Sequence, residues 1–175
     1  SCPNVESEGM AFGVDPKVVE QVTKAVRKVT DKPVIVKLSP NVTDIVEIAK
    51  AVEAGGGNGV SLINTLLGMA IDIHRRKPLL GNIYGGLSGP AVKPVALRMV
   101  HQVYKGVTIP IIGLGGIMSG TDAIEFMMAG AQAVQVGTAT MVDPTAISRI
   151  AREMGDFVEQ YNLNSITDIV GAVHQ

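Results

Sequence analysis

The chain has 175 residues, of which 46% are hydrophobic and 18% charged, and its 15 basic and 16 acidic side chains leave a formal net charge of −1. This balance argues against a nucleic-acid partner, which requires clustered Lys and Arg, and the apolar content excludes a disordered chain. No apolar run approaches the roughly 18 residues of a membrane span, and no signal-peptide pattern opens the sequence. We therefore expect a cytoplasmic protein without membrane contact. The single cysteine excludes an internal disulfide and leaves one thiol for chemistry.

Four short runs of β-branched and aliphatic residues predict strands. Runs that are apolar on both faces are typical of strands buried between other layers, and each of these runs is bounded by turn residues. The predicted strands cover residues 34–38, 59–64, 109–112 and 133–136.

Helical patterns lie between these strands. Asp15 is a predicted N-cap with Pro16 in the first turn, and valines at positions 18, 19, 22, 26 and 29 make one apolar stripe. Further helices are predicted to begin near Thr43, Ser88, Thr121 and Asp143. The alternation of strands and helices indicates an α/β fold with a parallel sheet of βα units.

Both an open doubly wound sheet and a closed barrel fit this alternation. The unusual residues decide between them, because Lys37, Asn64, Gly115 and Gly137 each stand at or directly after the end of a predicted strand. A site drawn from the carboxyl ends of successive strands is typical of a (β/α)8 TIM barrel. A Rossmann fold requires GxGxxG after its first strand, whereas the glycine-rich turn at residues 113–116 has another spacing and follows the third strand. The sequence therefore predicts a barrel.

The predicted strands are too few for a whole barrel. A complete barrel takes about 250 residues, and residues 1–4 look like the loop that leaves a preceding strand. We interpret residues 1–175 as the C-terminal part of a single barrel domain, with four parallel strands and their helices making about half of it.

Six segments, in order and with matching spacing, resemble class 1 dihydroorotate dehydrogenases over essentially the whole chain. The segments are residues 1–5 (SCPNV), 36–41 (VKLSPN), 63–65 (INT), 85–91 (GGLSGPA), 113–117 (GLGGI) and 136–139 (VGTA). The cysteine loop most resembles that of the class 1B catalytic subunit. The resemblance implies an FMN-binding barrel that oxidises dihydroorotate to orotate in the synthesis of UMP. For class 1B it also implies that electrons pass to NAD through a partner subunit carrying FAD and a 2Fe–2S cluster.

Cys2 is the candidate catalytic base. The implied reaction removes a proton from one carbon of the substrate while a hydride leaves its neighbour, so a positioned group must accept that proton near neutral pH. A thiolate can do so where its pKa is lowered locally. The alternative is an inert thiol that packs as a small hydrophobic side chain. The polar Pro3-Asn4 loop and the resemblance together favour the base.

Lys37 is a charged residue in an otherwise aliphatic strand. A lysine there is costly unless it meets an anion, and reduced flavin develops negative charge on its pyrimidine end. The alternative is a lysine whose ammonium reaches water at the mouth of the barrel. From the residues alone the two interpretations are equally supported, and the resemblance assigns Lys37 to the cofactor.

Asn4, Asn64 and Thr65 carry donors and acceptors that suit the edges of a pyrimidine ring. Asn and Thr also leave strands often for reasons of turn chemistry, which would be the better interpretation without the resemblance. The resemblance assigns all three to the substrate.

Glycine-bearing turns follow the last two strands, where barrels commonly bind phosphate. Glycine lets backbone amides approach a phosphate, and the helix N-termini that follow favour its charge. The alternative is two ordinary tight turns. With the resemblance, the predicted cofactor-binding residues are Lys37, Ile63, Gly89, Gly115, Gly116, Gly137 and Thr138.

Several alternatives stay open at this stage. No His, Cys, Asp or Glu cluster has the spacing of a metal site, and the basic residues 74–77 are interpreted as the solvated face of a long polar loop after Asn64. The chain could come from another pyrimidine-directed FMN barrel, such as the flavin domain of dihydropyrimidine dehydrogenase. It could also be an inactive half barrel. Because the outer strands of such a half would have unpaired edges, we expect a homo-oligomer.

Overall fold

The computed structural model describes residues 11–174, which form an α/β structure of eight strands and seven α-helices. The strands are β1 (Ile35–Leu38), β2 (Gly59–Leu62), β3 (Leu66–Met69), β4 (Ile71–Asp72), β5 (Lys77–Pro78), β6 (Tyr84–Leu87), β7 (Ile111–Leu114) and β8 (Ala133–Gln135). The helices are α1 (Ala11–Val14), α2 (Pro16–Arg27), α3 (Ile45–Ala54), α4 (Lys93–Tyr104), α5 (Gly120–Met128), α6 (Thr138–Val142) and α7 (Ala146–Gln160). Short 3-10 helices cover Pro90–Val92, Ile166–Ile169 and Ala172–His174.

Four of the strands form one parallel sheet in the order β1-β2-β7-β8, which is also their order along the chain. The long helices contact one another in the same sequence, α2 on α3, α3 on α4, α4 on α5 and α5 on α7. A doubly wound sheet reverses its strand order and splits its helices between two faces, whereas a barrel does neither. The prediction of half of a (β/α)8 barrel is confirmed.

The two faces of the sheet differ in burial. Leu38, Val60 and Leu62 are almost completely buried in the core beneath the helices. Side chains alternate along a strand, so Ile35 points to the opposite face, where it is 51% exposed. The core therefore lies between the sheet and its helices, and the other face of the sheet is open at its two outer strands.

The helix starts follow local capping chemistry. The Lys17 N–H donates to Asp15 Oδ1 at 2.8 Å, as predicted for this cap. The next helix is capped by Asp44 rather than Thr43, and the fourth predicted helix starts at Gly120, behind the cap residue Ser119. The last long helix begins at Ala146 rather than at Asp143. The valine stripe is only partly buried, because Val19 lies in the core whereas Val22 and Val26 are exposed and Val29 follows the helix end.

Each of the four predicted strands has a boundary that differs by one or two residues. The first begins at Ile35 rather than Val34, the third ends at Leu114 rather than Ile112, and the fourth ends at Gln135 rather than Val136. The second strand ends at Leu62, and the third begins at Ile111 rather than Ile109. The backbone N–H groups of Thr108 and Ile109 donate instead to the Glu53 carboxylate, and Pro110 has no N–H to offer. These residues therefore join the turn before the strand.

The segment between Asn64 and Ser88 is not the long polar loop that the sequence predicted. It folds into an antiparallel ribbon in which β3 pairs with β6 and β4 with β5. Apolar side chains on this ribbon remain exposed; they include Leu67, Met69, Ile71, Ile73, Leu79 and Tyr84. Because aliphatic residues are dispersed among glycines and basic residues here, no regular alternation marked the strands. The ribbon follows β2 at the carboxyl edge of the sheet, and the chain then continues into α4.

Candidate functional site

A cavity of about 240 Å³ opens at the carboxyl edge of the parallel sheet. The ends of β1, β2, β7 and β8 and the segment after β6 form its walls. All nine site residues that were predicted within residues 11–174 line it: Lys37, Ile63, Asn64, Thr65, Gly89, Gly115, Gly116, Gly137 and Thr138. Cys2 and Asn4 lie outside the described residues. The structure thus brings together residues that are up to 101 positions apart in the sequence, from Lys37 to Thr138.

Lys37 lies in β1, next to Ser61 of β2 in the register of the sheet. Its side chain is exposed toward the cavity and makes no ion pair with any residue between 11 and 174. An ammonium without a protein counter-charge at the rim of a cavity is available to an anionic or electron-rich ligand.

The exit of β2 is fixed by backbone hydrogen bonds to both neighbouring strands. The Ile63 N–H donates to the Leu114 carbonyl at 2.8 Å, and the Asn64 N–H donates to the Leu38 carbonyl at 2.9 Å. These bonds attach the two residues after β2 to β7 and to β1, so Asn64 and Thr65 reach the cavity wall from a fixed backbone. The polar side chains are therefore presented by the sheet rather than by a free loop.

Three glycines with positive φ shape the floor of the cavity: Gly89 (φ 85°), Gly115 (φ 133°) and Gly116 (φ 77°). A Cβ on Gly116 would lie 2.6 Å from the Gly89 carbonyl oxygen, and a Cβ on Gly115 would lie 2.7 Å from the Cβ of Ala96. Side chains have no room at these positions, so backbone amides are the groups that can approach a ligand here.

The turn after β8 is more open. Gly137 has a negative φ, and a Cβ there would meet nothing within 4 Å. Thr138 follows it, and the Thr138 hydroxyl donates to Ser88 Oγ at 2.9 Å, which ties this turn to the one that holds Gly89. Because β7 and β8 are adjacent and parallel, their glycine turns converge on the same side of the cavity.

Two helices begin after the glycine turns, α5 after β7 and α6 after β8. The N–H groups at the start of α5 are already satisfied by a capping box of Ser119 and Asp122, and α6 has only five residues. The glycine turns supply backbone N–H groups that can donate hydrogen bonds to an anion at this edge.

A family model described as "Dihydroorotate dehydrogenase" matches residues 1–158. The chain belongs to the dihydroorotate dehydrogenase family. It is 61% identical over 171 residues to a protein of Alkaliphilus oremlandii and 62% identical over 174 residues to one of Desulforamulus reducens. Both relatives are named "Dihydroorotate dehydrogenase B (NAD(+)), catalytic subunit". The matches cover 98% and 99% of this chain but 57% of each relative, so the chain spans little more than half of their length.

One residue that the sequence reasoning missed supports the cavity wall next to Thr65. The Asn41 side-chain amide donates to the Thr65 carbonyl at 3.1 Å, and its Oδ1 accepts the Leu67 N–H at 2.9 Å. One amide thus holds the chain on both sides of Leu66 where it leaves the cavity. Asn41 stands in the segment 36–41 quoted for the family resemblance, but its partners lie 24 and 26 residues away, which no local pattern could show.

A second missed feature is an ion cluster beside the glycine turns. Lys93 Nζ lies 2.6 Å from Asp122 Oδ1 and 2.9 Å from Glu125 Oε2. The hydrogen bonds to Asp122 and Glu125 raise the pKa of Lys93 above its ordinary value, although burial opposes them. Burial of Asp122 would raise its pKa, but the hydrogen bonds from Lys93 and from the Met118 N–H outweigh this, so the pKa of Asp122 is lowered. Lys93 and Asp122 are therefore both charged near neutral pH.

The described part of the chain contains neither a candidate metal site nor a membrane-spanning helix. Within residues 11–174, no group of three or more His, Cys, Asp or Glu side chains could hold a metal ion. No helix in the same range is long and apolar enough to cross a bilayer.

Proposed function

We propose that the protein to which this chain belongs oxidises dihydroorotate to orotate with FMN, as a step of pyrimidine synthesis in the cytoplasm. The observation that carries the proposal is the single cavity lined by nine residues assigned to cofactor or substrate from the sequence. Membership of the family and relatives named as dihydroorotate dehydrogenase catalytic subunits support it. The proposed unit is one (β/α)8 barrel domain that contains residues 1–175.

The residues of the cavity fit an FMN molecule. The crowded turn at Gly115 and Gly116 and the open turn at Gly137 and Thr138 offer backbone amides for a phosphate, with Gly89 packed against both. Ile63 supplies an apolar wall, and the ammonium of Lys37, which has no ion pair within residues 11–174, suits the end of a flavin that becomes negative on reduction. When bound, FMN supplies the acceptor for a hydride.

The chain's own side chains carry out the remaining tasks. Asn4, Asn64 and Thr65 would bind the polar edges of the substrate and orient it, and a ligand without those edges would leave them unsatisfied. The Cys2 thiolate would accept the proton from the substrate carbon next to the one that loses its hydride. Asn64 and Thr65 are held by the sheet, which favours a fixed orientation of the ring.

The names of the relatives also support a partner. A protein named as a catalytic subunit functions beside another subunit, and the relatives are named for NAD(+). We propose an electron-transfer subunit with FAD and a 2Fe–2S cluster that passes electrons from the reduced flavin to NAD. Assembly of the catalytic subunit as a homo-oligomer belongs to the same proposal.

The Cys2→Ala variant of the full-length protein tests this function. The variant should retain FMN, whereas reduction of the flavin by dihydroorotate should slow about 10²–10⁴-fold, the usual effect of losing a positioned base. Cys2→Ser should recover activity only as pH rises, because a hydroxyl ionises less readily than a thiol. Flavin absorbance in a stopped-flow experiment measures both. Wild-type rates in the alanine variant would refute the role of Cys2.

A substrate comparison separates the main alternative. Reduction of the bound flavin by dihydroorotate supports the proposed function, whereas turnover of uracil with no response to dihydroorotate would identify a dihydropyrimidine dehydrogenase-like barrel. The second alternative concerns the 175-residue polypeptide expressed alone. The open face around Ile35 and the unpaired outer strands β1 and β8 favour self-association and loss of activity. Sedimentation with a flavin titration tests this, and a monodisperse, active monomer would contradict it.

A further inference from the structure

We propose that Lys93 is a positioning residue for FMN, because its ion pairs set the separation of the glycine turns and partly offset the negative charge of two carboxylates beside them. The inference rests on the proposed function only as far as FMN binding. It does not require dihydroorotate as the substrate.

Lys93 occupies the first position of α4, directly after the 3-10 helix that follows Gly89. Its side chain is 26% exposed, and that of Asp122 is 15% exposed. The Lys93–Asp122 distance of 2.6 Å joins two segments 29 residues apart in sequence. An ion pair with this little solvent contact is screened less by salt than a pair on an open surface.

Both partners of this ion pair hold the loop that contains Gly116. A Cβ on Gly116 would be 3.0 Å from both the backbone nitrogen and the Cβ of Lys93. On the other side, Asp122 Oδ2 accepts the N–H groups of Met118 and Ser119 at 2.8 and 3.0 Å, which anchors the chain two residues after Gly116. The ion pair thus fixes the start of α4 against the end of the loop from β7.

Charge gives Lys93 a second effect. Asp122 and Glu125 both face its ammonium, so the cluster carries one positive and two negative charges. Without Lys93 two carboxylates would stand close together behind the turn proposed to bind a phosphate dianion. Their field would oppose the phosphate, and more strongly at low ionic strength.

The experiment measures FMN affinity of the full-length apoprotein by quenching of flavin fluorescence. Lys93→Met should weaken binding at least tenfold at about 0.05 M salt, with a smaller loss at 0.5 M. Lys93→Arg retains the charge and should bind within threefold of wild type. The variant K93M/D122N/E125Q, whose cluster carries no charge, should recover the electrostatic part of the loss and lose the salt dependence. Lys50→Met is the matched control, since it removes an exposed pair with Glu47 far from the cavity, and should change affinity less than twofold.

A purely structural role is tested by matching stability. Glu53→Gln removes a charge that clamps the opposite edge of the sheet, so its melting temperature provides a comparison for an equal loss of stability. If Lys93→Met lowers the melting temperature as Glu53→Gln does but leaves FMN affinity within twofold of wild type, the proposal is overturned. Where Lys93→Met does not fold, Glu125→Gln decides. It removes one of the two carboxylates and should leave FMN affinity unchanged or increase it, whereas a tenfold loss would overturn the proposal.

These outcomes are distinct from failure of the proposed function. A wild-type protein that binds no FMN would refute the proposed function and this inference together. A wild-type protein that binds FMN but is not reduced by dihydroorotate would refute the substrate assignment, while the affinities of the Lys93 variants would still decide the inference.

Discussion

The two edges of the parallel sheet are built differently. At the amino edge, side chains from the turns close the strand starts: Asn58 Oδ1 accepts the Val34 N–H at 2.9 Å and Gln132 Oε1 accepts the Ile111 N–H at 2.7 Å. Glu53 accepts three hydrogen bonds from Thr108 and Ile109. At the carboxyl edge, strands end in glycine turns around a cavity, and polar side chains such as Lys37 line this cavity.

This difference separates stability from function. At the amino edge, backbone N–H groups at the strand starts donate to side chains of the protein. The polar groups named there are therefore satisfied within the protein. The carboxyl edge presents backbone amides and polar side chains to a ligand. The hydrogen bonds of the sheet and the Lys93–Asp122 ion pair stabilise this edge. Parallel barrels show the same division between a stabilising and a catalytic face. Substitutions at the two edges should therefore give separable effects.

The largest effect is expected for Gly116→Ala at the carboxyl edge. The residue has a φ of 77°, and a Cβ would lie 2.6 Å from the Gly89 carbonyl oxygen. Relief of this contact must move one of the two glycine turns, so FMN affinity should fall about 100-fold or more. The strained backbone should also cost about 1–2 kcal/mol of stability. Flavin fluorescence titration and denaturant unfolding of the full-length protein measure the two quantities.

Gly155→Ala is the matched control for this variant. Gly155 lies within α7, where a Cβ meets nothing within 4 Å, so alanine should increase stability by up to about 1 kcal/mol and leave FMN affinity unchanged. Unaltered FMN affinity in Gly116→Ala would remove the glycine turns from the proposed cofactor site.

Asn41→Ala should have the next largest effect, and it should act on the substrate. Loss of the hydrogen bonds to Thr65 and Leu67 frees the exit of β2. At about 0.5–1.5 kcal/mol for each hydrogen bond, KM for dihydroorotate should rise about tenfold, with FMN affinity within twofold of wild type. Asn41→Asp keeps the acceptor for the Leu67 N–H but loses the donor to Thr65. Its KM for dihydroorotate should lie between those of wild type and Asn41→Ala. Steady-state kinetics with flavin titration checks this, and an equal loss of FMN affinity would contradict a role limited to Thr65.

At the amino edge, Glu53→Gln should lower stability by about 1–2 kcal/mol without a change in FMN affinity, because the amide oxygen still accepts these hydrogen bonds but without the charge that strengthens them, and the site is far from the cavity. The hydrogen bonds from the Thr108 hydroxyl and then the Thr108 N–H lower the pKa of Glu53 in the folded state. Since the folded pKa lies below the unfolded value of about 4.3, this stabilisation is complete above that pH. It is lost as pH falls through the lowered folded pKa.

Chemical denaturation of wild type and Glu53→Gln between pH 7 and pH 3 measures this. The difference in free energy of unfolding should be largest near neutral pH and should shrink in acid. A difference that grows on acidification, or a tenfold loss of FMN affinity, would contradict the assignment of Glu53 to stability alone.

Particular residues show which features the sequence could predict. Local runs and turn residues predicted the four strands and placed Lys37, Asn64 and Gly115 at or after strand ends. The structure confirms that these positions meet at one edge. Local patterns carry this information because parallel βα units place every strand end at the same edge of the sheet.

Other features depend on contacts distant in sequence. Glu53 moved the start of β7 by two residues through partners 55 and 56 positions away, and the Lys93–Asp122 pair spans 29 positions. The ribbon was missed because its apolar residues are dispersed among glycines and basic residues, so no regular alternation marked its strands. The roles of Cys2 and Asn4 remain predictions, since both residues lie outside the described part of the chain.

The smallest effect is expected on the ribbon, which belongs to neither edge. Arg75 is 83% exposed, and its ion pair with Asp72 is 3.6 Å long. An exposed pair of this kind contributes little, so Arg75→Ala should change the free energy of unfolding by less than about 0.5 kcal/mol. FMN affinity should stay within twofold of wild type, because residues 74–77 form none of the cavity wall. A loss of 2 kcal/mol or more in urea unfolding would show that the ribbon tip is packed against part of the full-length protein, contrary to the interpretation of a solvated face. A loss of flavin affinity at normal stability would instead extend the functional edge of the sheet outward along the ribbon.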